Sequence, residues 1–132
     1  MSEPVRDAAI VLLTLNEIDG LRLLFDQIPV HRFRETIAVD GGSTDGTREF
    51  LTERGIPILD QSIPGRGVAF RVAADACLSD RLIFYSPDGN EDPADIERLD
   101  DLILQGARVA IASRFAPGSV NEEDVSVFRP RS

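Results

Sequence analysis

The feature that most constrains this chain is a hydrophobic pattern whose period switches back and forth. Ala8 to Leu15 (AAIVLLTL) is an unbroken apolar run, the mark of a strand covered on both faces. Ile18, Leu21, Leu24 or Phe25, and Ile28 then recur at helical spacing. Thr36 to Val39 predicts a second strand and Gly46 to Arg54 a second helix. Ile56 to Leu59 predicts a third strand, which Pro57 restricts to a sheet edge or a first strand position. Val68 to Leu78 reads as an Ala-rich helix, Leu82 to Tyr85 as a fourth strand and Val109 to Ala112 as a fifth. Before the last of these, Asp92-Pro93 has the form of an N-cap followed by the first helical residue. Ile96, Leu99, Leu102 and Ile103 supply the buried stripe of that helix, and Gly106 its stop. Strands that alternate with helices in this way predict an α/β protein with a doubly wound, mostly parallel sheet.

Composition narrows the possibilities further. At 132 residues the chain forms one domain with a real core. Its formal charge of -9 argues against a nucleic-acid partner, whose footprint is a basic face. All the basic residues are Arg, so any phosphate-binding cation must be a guanidinium or a metal. A lone cysteine, Cys77, fits a reducing compartment, and no apolar run reaches the ~20 residues of a membrane span. A cytoplasmic location is expected.

In an open α/β sheet, ligands bind outside the carboxyl ends of the strands. The residues that follow each strand are therefore the candidates. They are Asn16-Glu17, Asp40 to Asp45, Pro64 to Gly67 with Arg71 one turn on, Ser86 to Asn90, and Ser113-Arg114. The other rim, with stretches such as RFRE and SDR, carries less that could bind a ligand. Glycines beside helix N-termini let backbone amides approach an anion, and Arg66 and Arg71 can pair with phosphate oxygens. Asp40 can accept hydrogen bonds from a base or ribose, or act as a cap. Asp88 and Asn90 are either turn formers around Gly89 or hard oxygen ligands of the kind Mg²⁺ and Mn²⁺ prefer. Asp45 reads as a cap, Cys77 as core packing, and His31 has no assigned role.

The segments VLLTLNE, AVDGGSTDGT, GRGVAFR, SPDGNEDPADI and IASRF occur in the order seen in family 2 glycosyltransferases of the GT-A fold. The chain resembles the dolichol-phosphate mannosyltransferase-like branch over roughly Ala8 to Phe115. This resemblance implies a Rossmann-like nucleotide-sugar-binding domain over residues 1–115. It also implies an inverting transfer from a GDP- or UDP-linked sugar to an acceptor such as a polyprenyl phosphate at the cytoplasmic face of a membrane. By position, Asn16, Glu17, Asp40, Gly42 and Ser43 would serve the nucleoside side of the donor. Arg66, Arg71 and Arg114 would lie by its diphosphate, and Asp88, Asn90 and Ser86 would hold a divalent Mg²⁺ or Mn²⁺ together with it.

Three departures from the family pattern bear on this. Leu13 and Leu15 stand where Pro and Tyr are usual, Gly41 stands for a frequent second Asp, and Ser86 replaces the first Asp of the metal motif. A neutral hydroxyl is a poorer metal ligand than a carboxylate, so intrinsic metal affinity should fall. The stretch 116–132 has no clear period and reads as a loop-like tail, the start of an acceptor-binding half that the chain lacks. The general base, if one is needed, is expected outside the chain. The alternative is a nucleotide-sugar-binding module without catalysis. The sequence leaves an oligomer open.

Overall fold

In the computed structural model, residues 5–89 and 92–104 are described. The elements are β1 (Arg6–Thr14), α1 (Ile18–Leu24), β2 (Phe33–Asp40), α2 (Thr47–Glu53), β3 (Ile58–Asp60), α3 (Arg66–Ala76), β4 (Leu82–Tyr85) and α4 (Asp95–Leu104). Two short 3₁₀ turns, Phe25–Gln27 and Val30–Arg32, join α1 to β2. The strands form one all-parallel sheet in the order β3-β2-β1-β4. The expected α/β class and parallel sheet are therefore present. The predicted fifth strand, Gly106, Asn90, Arg114 and the tail lie outside the described residues.

The period-2 alternation explains the two layers. Ala8, Ile10 and Leu12 of β1 join Ala38, Ile83 and Tyr85 under α1, α2 and α4 through Leu21, Leu51, Ile96 and Leu99. Ala9 and Val11 join Ile37, Val39, Leu82 and Phe84 on the opposite face, under Ala69, Ala73 and Ala74 of α3. Each fully buried large side chain of this set contributes roughly 1.5–3 kcal/mol through burial. Small alanines on α3 let that helix lie close to the sheet.

Several boundaries differ from the sequence expectation, and in β2, β3 and α3 the physical reason is visible. β2 starts at Phe33 rather than Thr36, because Phe33 and Glu35 continue the ladder opposite Arg6 and Ala9. β3 is shifted to Ile58–Asp60, since Pro57 has no N–H to give the ladder. Its carbonyl still accepts from the Ala38 amide at 2.9 Å, and β3 is an edge of the described sheet, as Pro57 requires. α3 starts two residues early, at Arg66, after Gly65 turns the chain at φ +127°. It ends early too, because Glu35 captures the amides of Leu78 and Ser79 at 2.9 and 2.8 Å. α4 begins at Asp95, two residues after the expected first position Pro93; Asp92 instead leads the turn before it, its carboxylate accepting from the Ala94 amide at 2.9 Å and its carbonyl from the Asp95 amide at 2.8 Å.

The rim at the N-terminal ends of the strands is locked by charge. Asp100 of α4 is fully buried and receives Arg6 at 3.0 Å and Arg81 at 2.8 and 3.2 Å. Arg34 pairs with Asp7 at 2.9 Å, and Glu35 holds the turn after α3. These charged groups are engaged in holding the fold, which leaves the opposite rim for ligands. Cys77 packs against the α3 face, and burial together with the Glu35 charge pushes its thiol up to about 12. It is a partly buried residue packed against the core, and a raised thiol pKa disfavours the thiolate.

Candidate functional site

The strand order reverses between β1 and β4, because the chain builds β1, β2 and β3 to one side and then crosses to β4 on the other. The carboxyl ends of β1 and β4 are therefore the usual ligand position in such a sheet. The β1 loop carries Asn16 and Glu17, and the β4 loop carries Ser86, Pro87 and Asp88. The two are in tight contact, since α1 packs its Gly20 against the carbonyl of Pro87. A Cβ on Gly20 would sit 1.8 Å from that oxygen and 3.5 Å from the Cα of Asp88.

Asp40 ends β2 opposite Thr14 of β1 in the ladder. Its side chain is completely buried. One oxygen accepts from the hydroxyls of Thr14 and Ser43, both at 2.6 Å. The other accepts from the amides of Gly42 at 3.0 Å and Ser43 at 2.8 Å, and from Arg48 at 3.1 Å. Burial alone would raise its pKa. The hydrogen bonds from Ser43, Thr14 and Gly42 outweigh burial and hold the carboxyl down at about 2. With both oxygens occupied from inside, Asp40 organises the loop in this structure rather than offering a free acceptor to a base or ribose.

The rest of the loop is fastened in the same way. Asn16 adopts φ +56°, a conformation that asparagine tolerates better than most residues. From there its amide donates to Ser43 Oγ at 2.7 Å and its side-chain oxygen accepts from the Thr44 amide at 2.9 Å. Glu17 donates its amide to the buried Thr47 hydroxyl at 2.9 Å. Asp45 is a cap, as expected, and more than that. It accepts from the Thr47 amide at 3.0 Å and reaches across to the Ile18 amide at 3.2 Å. The amides of Gly41, Gly42, Ser43, Thr44 and Thr47 are all consumed within the protein. This differs from the expectation of an anion cradle in the glycine-rich turn, which instead staples the loops after β1 and β2 together. The remaining candidate for an anion is the turn that opens α3.

On α3, Arg71 is exposed and has no hydrogen bond or ion pair among the described residues. Arg66 begins the helix. In the β4 loop, Ser86 and Asp88 are half-buried, and the Asp88 amide donates to the Ser86 carbonyl at 2.9 Å. Among the described residues no group of three His, Cys, Asp or Glu side chains is arranged so that it could hold a metal ion. Among the described residues of this loop, the side chains that could serve as oxygen donors are the carboxylate of Asp88 and the hydroxyl of Ser86. That pair fits a hard cation that keeps waters and takes further ligands from a substrate diphosphate, and it does not fit an all-protein cage. Asn90 and Arg114, the other candidates, lie outside the described residues.

Three contributors were not identified from the sequence. Thr14 and Thr47 are hydroxyls buried at strand and helix ends, and a threonine in a β-rich run carries no signal of such a role. Arg48 sits between Asp40 and Asp60, donating to the latter at 2.6 Å. The only sequence hint was an arginine in the first turn of α2, where a cation is unfavourable to the helix dipole and so needs an acidic partner.

Comparison with known proteins agrees with this geometry. The family described as glycosyl transferase family 2 matches residues 9–130. A glycosyltransferase, AglJ, of Haloferax volcanii is 31% identical over 122 residues, covering 89% of this chain and 40% of the relative. The polyprenol monophosphomannose synthase of Mycolicibacterium smegmatis is 29% identical over 130 residues, covering 87% of this chain and 48% of the relative. The chain thus spans less than half the length of these relatives. Among solved structures, glucosyl-3-phosphoglycerate synthase of Mycobacterium tuberculosis in complex with uridine diphosphate superposes with a TM-score of 0.65 at 27% identity, covering 75% of this chain and 40% of that one. The same enzyme has been solved with Mn²⁺, UDP and glucosyl-3-phosphoglycerate. The fold is accordingly that of the nucleotide-binding half of a GT-A glycosyltransferase.

Proposed function

The chain belongs to glycosyl transferase family 2, and from that premise we propose that its rim binds a GDP- or UDP-linked sugar for inverting transfer to a polyprenyl phosphate. The observation that carries this reading is the convergence at the β1/β4 switch point. The stapled Asn16–Thr47 loops and the Ser86–Asp88 loop leave the same end of the sheet, where α3 also begins, and on α3 Arg71 is exposed and unpaired among the described residues. The solved complex of a structural relative with UDP and Mn²⁺ supports a nucleoside diphosphate and a divalent cation as the ligand class.

In this reading Asn16, Glu17, Gly42 and Ser43 shape the wall beside the nucleoside, with Asp40 holding that wall in place. Arg66, Arg71 and Arg114 would serve the diphosphate. Asp88, with Ser86 and Asn90, holds Mg²⁺ or Mn²⁺, which when bound supplies positive charge to the departing diphosphate. A polyprenyl phosphate oxygen is already anionic, so it attacks without a general base, and direct displacement at the sugar carbon gives inversion. The name of the polyprenol-specific relative supports this acceptor class. Among the described residues no helix is long and apolar enough to cross a membrane. In this reading the lipid acceptor is met at the cytoplasmic surface of a membrane. Ser86 favours a second reading, a nucleotide-sugar-binding module without transfer, because it removes one carboxylate from the metal motif. Sugar release from the donor in the presence of a short-chain polyprenyl phosphate separates the two.

The test is a thermal-shift titration with GDP and UDP, each with and without Mn²⁺. A ligand that binds only the folded state at 100 times its Kd adds about 2.7 kcal/mol of stability. A rise of several degrees for one of the nucleotides, larger with Mn²⁺, is expected. No rise for either at millimolar concentration removes the reading. Asp88→Asn is expected to abolish the Mn²⁺-dependent part of the rise while the unliganded midpoint stays within about 2 °C, since the group is half-buried in a loop. An unchanged Mn²⁺ response would assign Asp88 to the turn alone.

A further inference from the structure

We propose that Arg48 is a positioning residue for the donor site: it couples the loop after β2 to the turn that opens α3. The inference rests on the function proposed above and concerns how its two halves are held at a fixed spacing. Asp40 and Asp60 are ladder partners at the ends of β2 and β3, so two carboxylates stand side by side on the rim. Arg48, in the first turn of α2, sends one nitrogen to both, at 3.1 Å to Asp40 and 2.6 Å to Asp60. The Asp40 oxygen it uses is the one that also takes the amides of Gly42 and Ser43. Its pull is therefore applied directly to the loop that meets Asn16.

On the other side of this bridge the chain is equally tied. The Gln61 amide donates to the Asp40 carbonyl at 2.9 Å, and its side chain donates to the carbonyls of Ile63 at 2.9 Å and Gly65 at 2.7 Å. Residues 60–65 thus form one braced turn that delivers Arg66 and Arg71 on α3. Arg48 is the side-chain link between that turn and the Asp40 loop. Its absence leaves Asp60 beside the buried Asp40 charge with no cation between them, and like charges at ladder positions push the edge strand outward. Lysine supplies a point charge on a flexible stem in place of the planar guanidinium, so it replaces the charge and loses part of the geometry.

The experiment is isothermal titration calorimetry with UDP and GDP plus Mn²⁺, at least 15 °C below every melting midpoint. The proteins are the wild-type chain, Arg48→Ala, Arg48→Lys, Asp60→Ala and the Arg48→Ala/Asp60→Ala double variant. For the nucleotide that wild type binds, Arg48→Ala is expected to raise Kd about tenfold, and Arg48→Lys to recover part of the loss. The double variant is expected to bind better than Arg48→Ala alone, because it removes the repelling carboxylate. A purely structural role for Arg48 would lower the melting midpoint and leave Kd unchanged at this temperature. That result, or a double variant no better than the single, overturns the inference. If Arg48→Ala does not fold, Arg48→Gln is read by the same criteria. A wild-type chain that binds neither nucleotide overturns the underlying functional reading instead, so the two failures are distinct.

Discussion

Gly20→Ala is expected to destabilise the fold by about 3 kcal/mol, a fall in melting midpoint of roughly 10–15 °C for a domain of this size. Propensity alone gives the opposite sign, because alanine is favoured over glycine within a helix by about 1 kcal/mol. The difference is the neighbour. The new Cβ would lie 1.8 Å from the Pro87 carbonyl oxygen and 2.9 Å from its carbon, and these are backbone atoms that cannot rotate aside. Relief requires α1 or the Ser86–Gly89 loop to move, and the second of these displaces Asp88. Gly67 is the matched control: nothing lies within 4 Å of a Cβ built there. Gly67→Ala is expected to raise stability by ~0.5–1 kcal/mol. Urea unfolding of both variants checks the pair. Equal effects of the two substitutions would show that the α1 contact is looser than described.

The second large effect is expected at Asp40. Asp40→Asn keeps the shape and turns one acceptor oxygen into a donor that faces the amides of Gly42 and Ser43 or the hydroxyls of Thr14 and Ser43. Breaking a buried charge network of this kind costs about 3–5 kcal/mol. Asp60→Asn, at a side chain that is 74% exposed, is expected to cost less than about 1 kcal/mol. The pH dependence has a definite sign. The folded-state pKa of Asp40 is depressed from 3.8 to about 2. Its contribution, on the order of 2 kcal/mol, is fully present above pH ~4 and lost as pH falls toward 2. Acid unfolding monitored between pH 5 and 2 should therefore be shallower in Asp40→Asn than in wild type. Identical slopes would mean that Asp40 shares its proton with the solvent and is not held as described.

The framework of the sheet was legible because it depends on local pattern. The apolar run in β1 and the four residues of β4 gave both strands directly, and an unbroken apolar run matches the burial of β1 and β4 on both faces. The start of β2 was not legible, since Arg34 and Glu35 look like loop residues until their ladder with β1 and their partners Asp7 and Ser79 are known. At the site, position was legible and role was not. Asp40 was recognised as a rim residue, yet its five donors come from Thr14, Gly42, Ser43 and Arg48, up to 26 positions away. No local window contains that convergence. The same holds for the amides of the glycine-rich turn, which suggest an anion cradle in sequence and prove to be spent on Asp40, Asn16 and Asp45. Gly20 was not singled out from the sequence, because a close approach to Pro87 is a property of two elements that are distant in sequence.

These particulars give one physical picture. The rim at the strands' N-terminal ends spends its charges on Asp100, Arg6 and Arg81. The opposite rim spends its backbone amides on stapling loops and leaves a guanidinium, Arg71, unengaged among the described residues. A loop braced by buried hydrogen bonds is pre-organised, so little ordering is left to be done when a ligand arrives.

The central claim, that the rim at the carboxyl ends of the strands binds a nucleoside diphosphate, is tested most directly by amide chemical shifts of the ¹⁵N-labelled chain titrated with UDP or GDP and Mg²⁺. The account predicts changes at Asn16, Ser43, Thr44, Arg71, Ser86 and Asp88, with Glu35, Leu78 and Ser79 on the opposite rim unmoved. Changes confined to that opposite rim, or none at millimolar nucleotide, would contradict it.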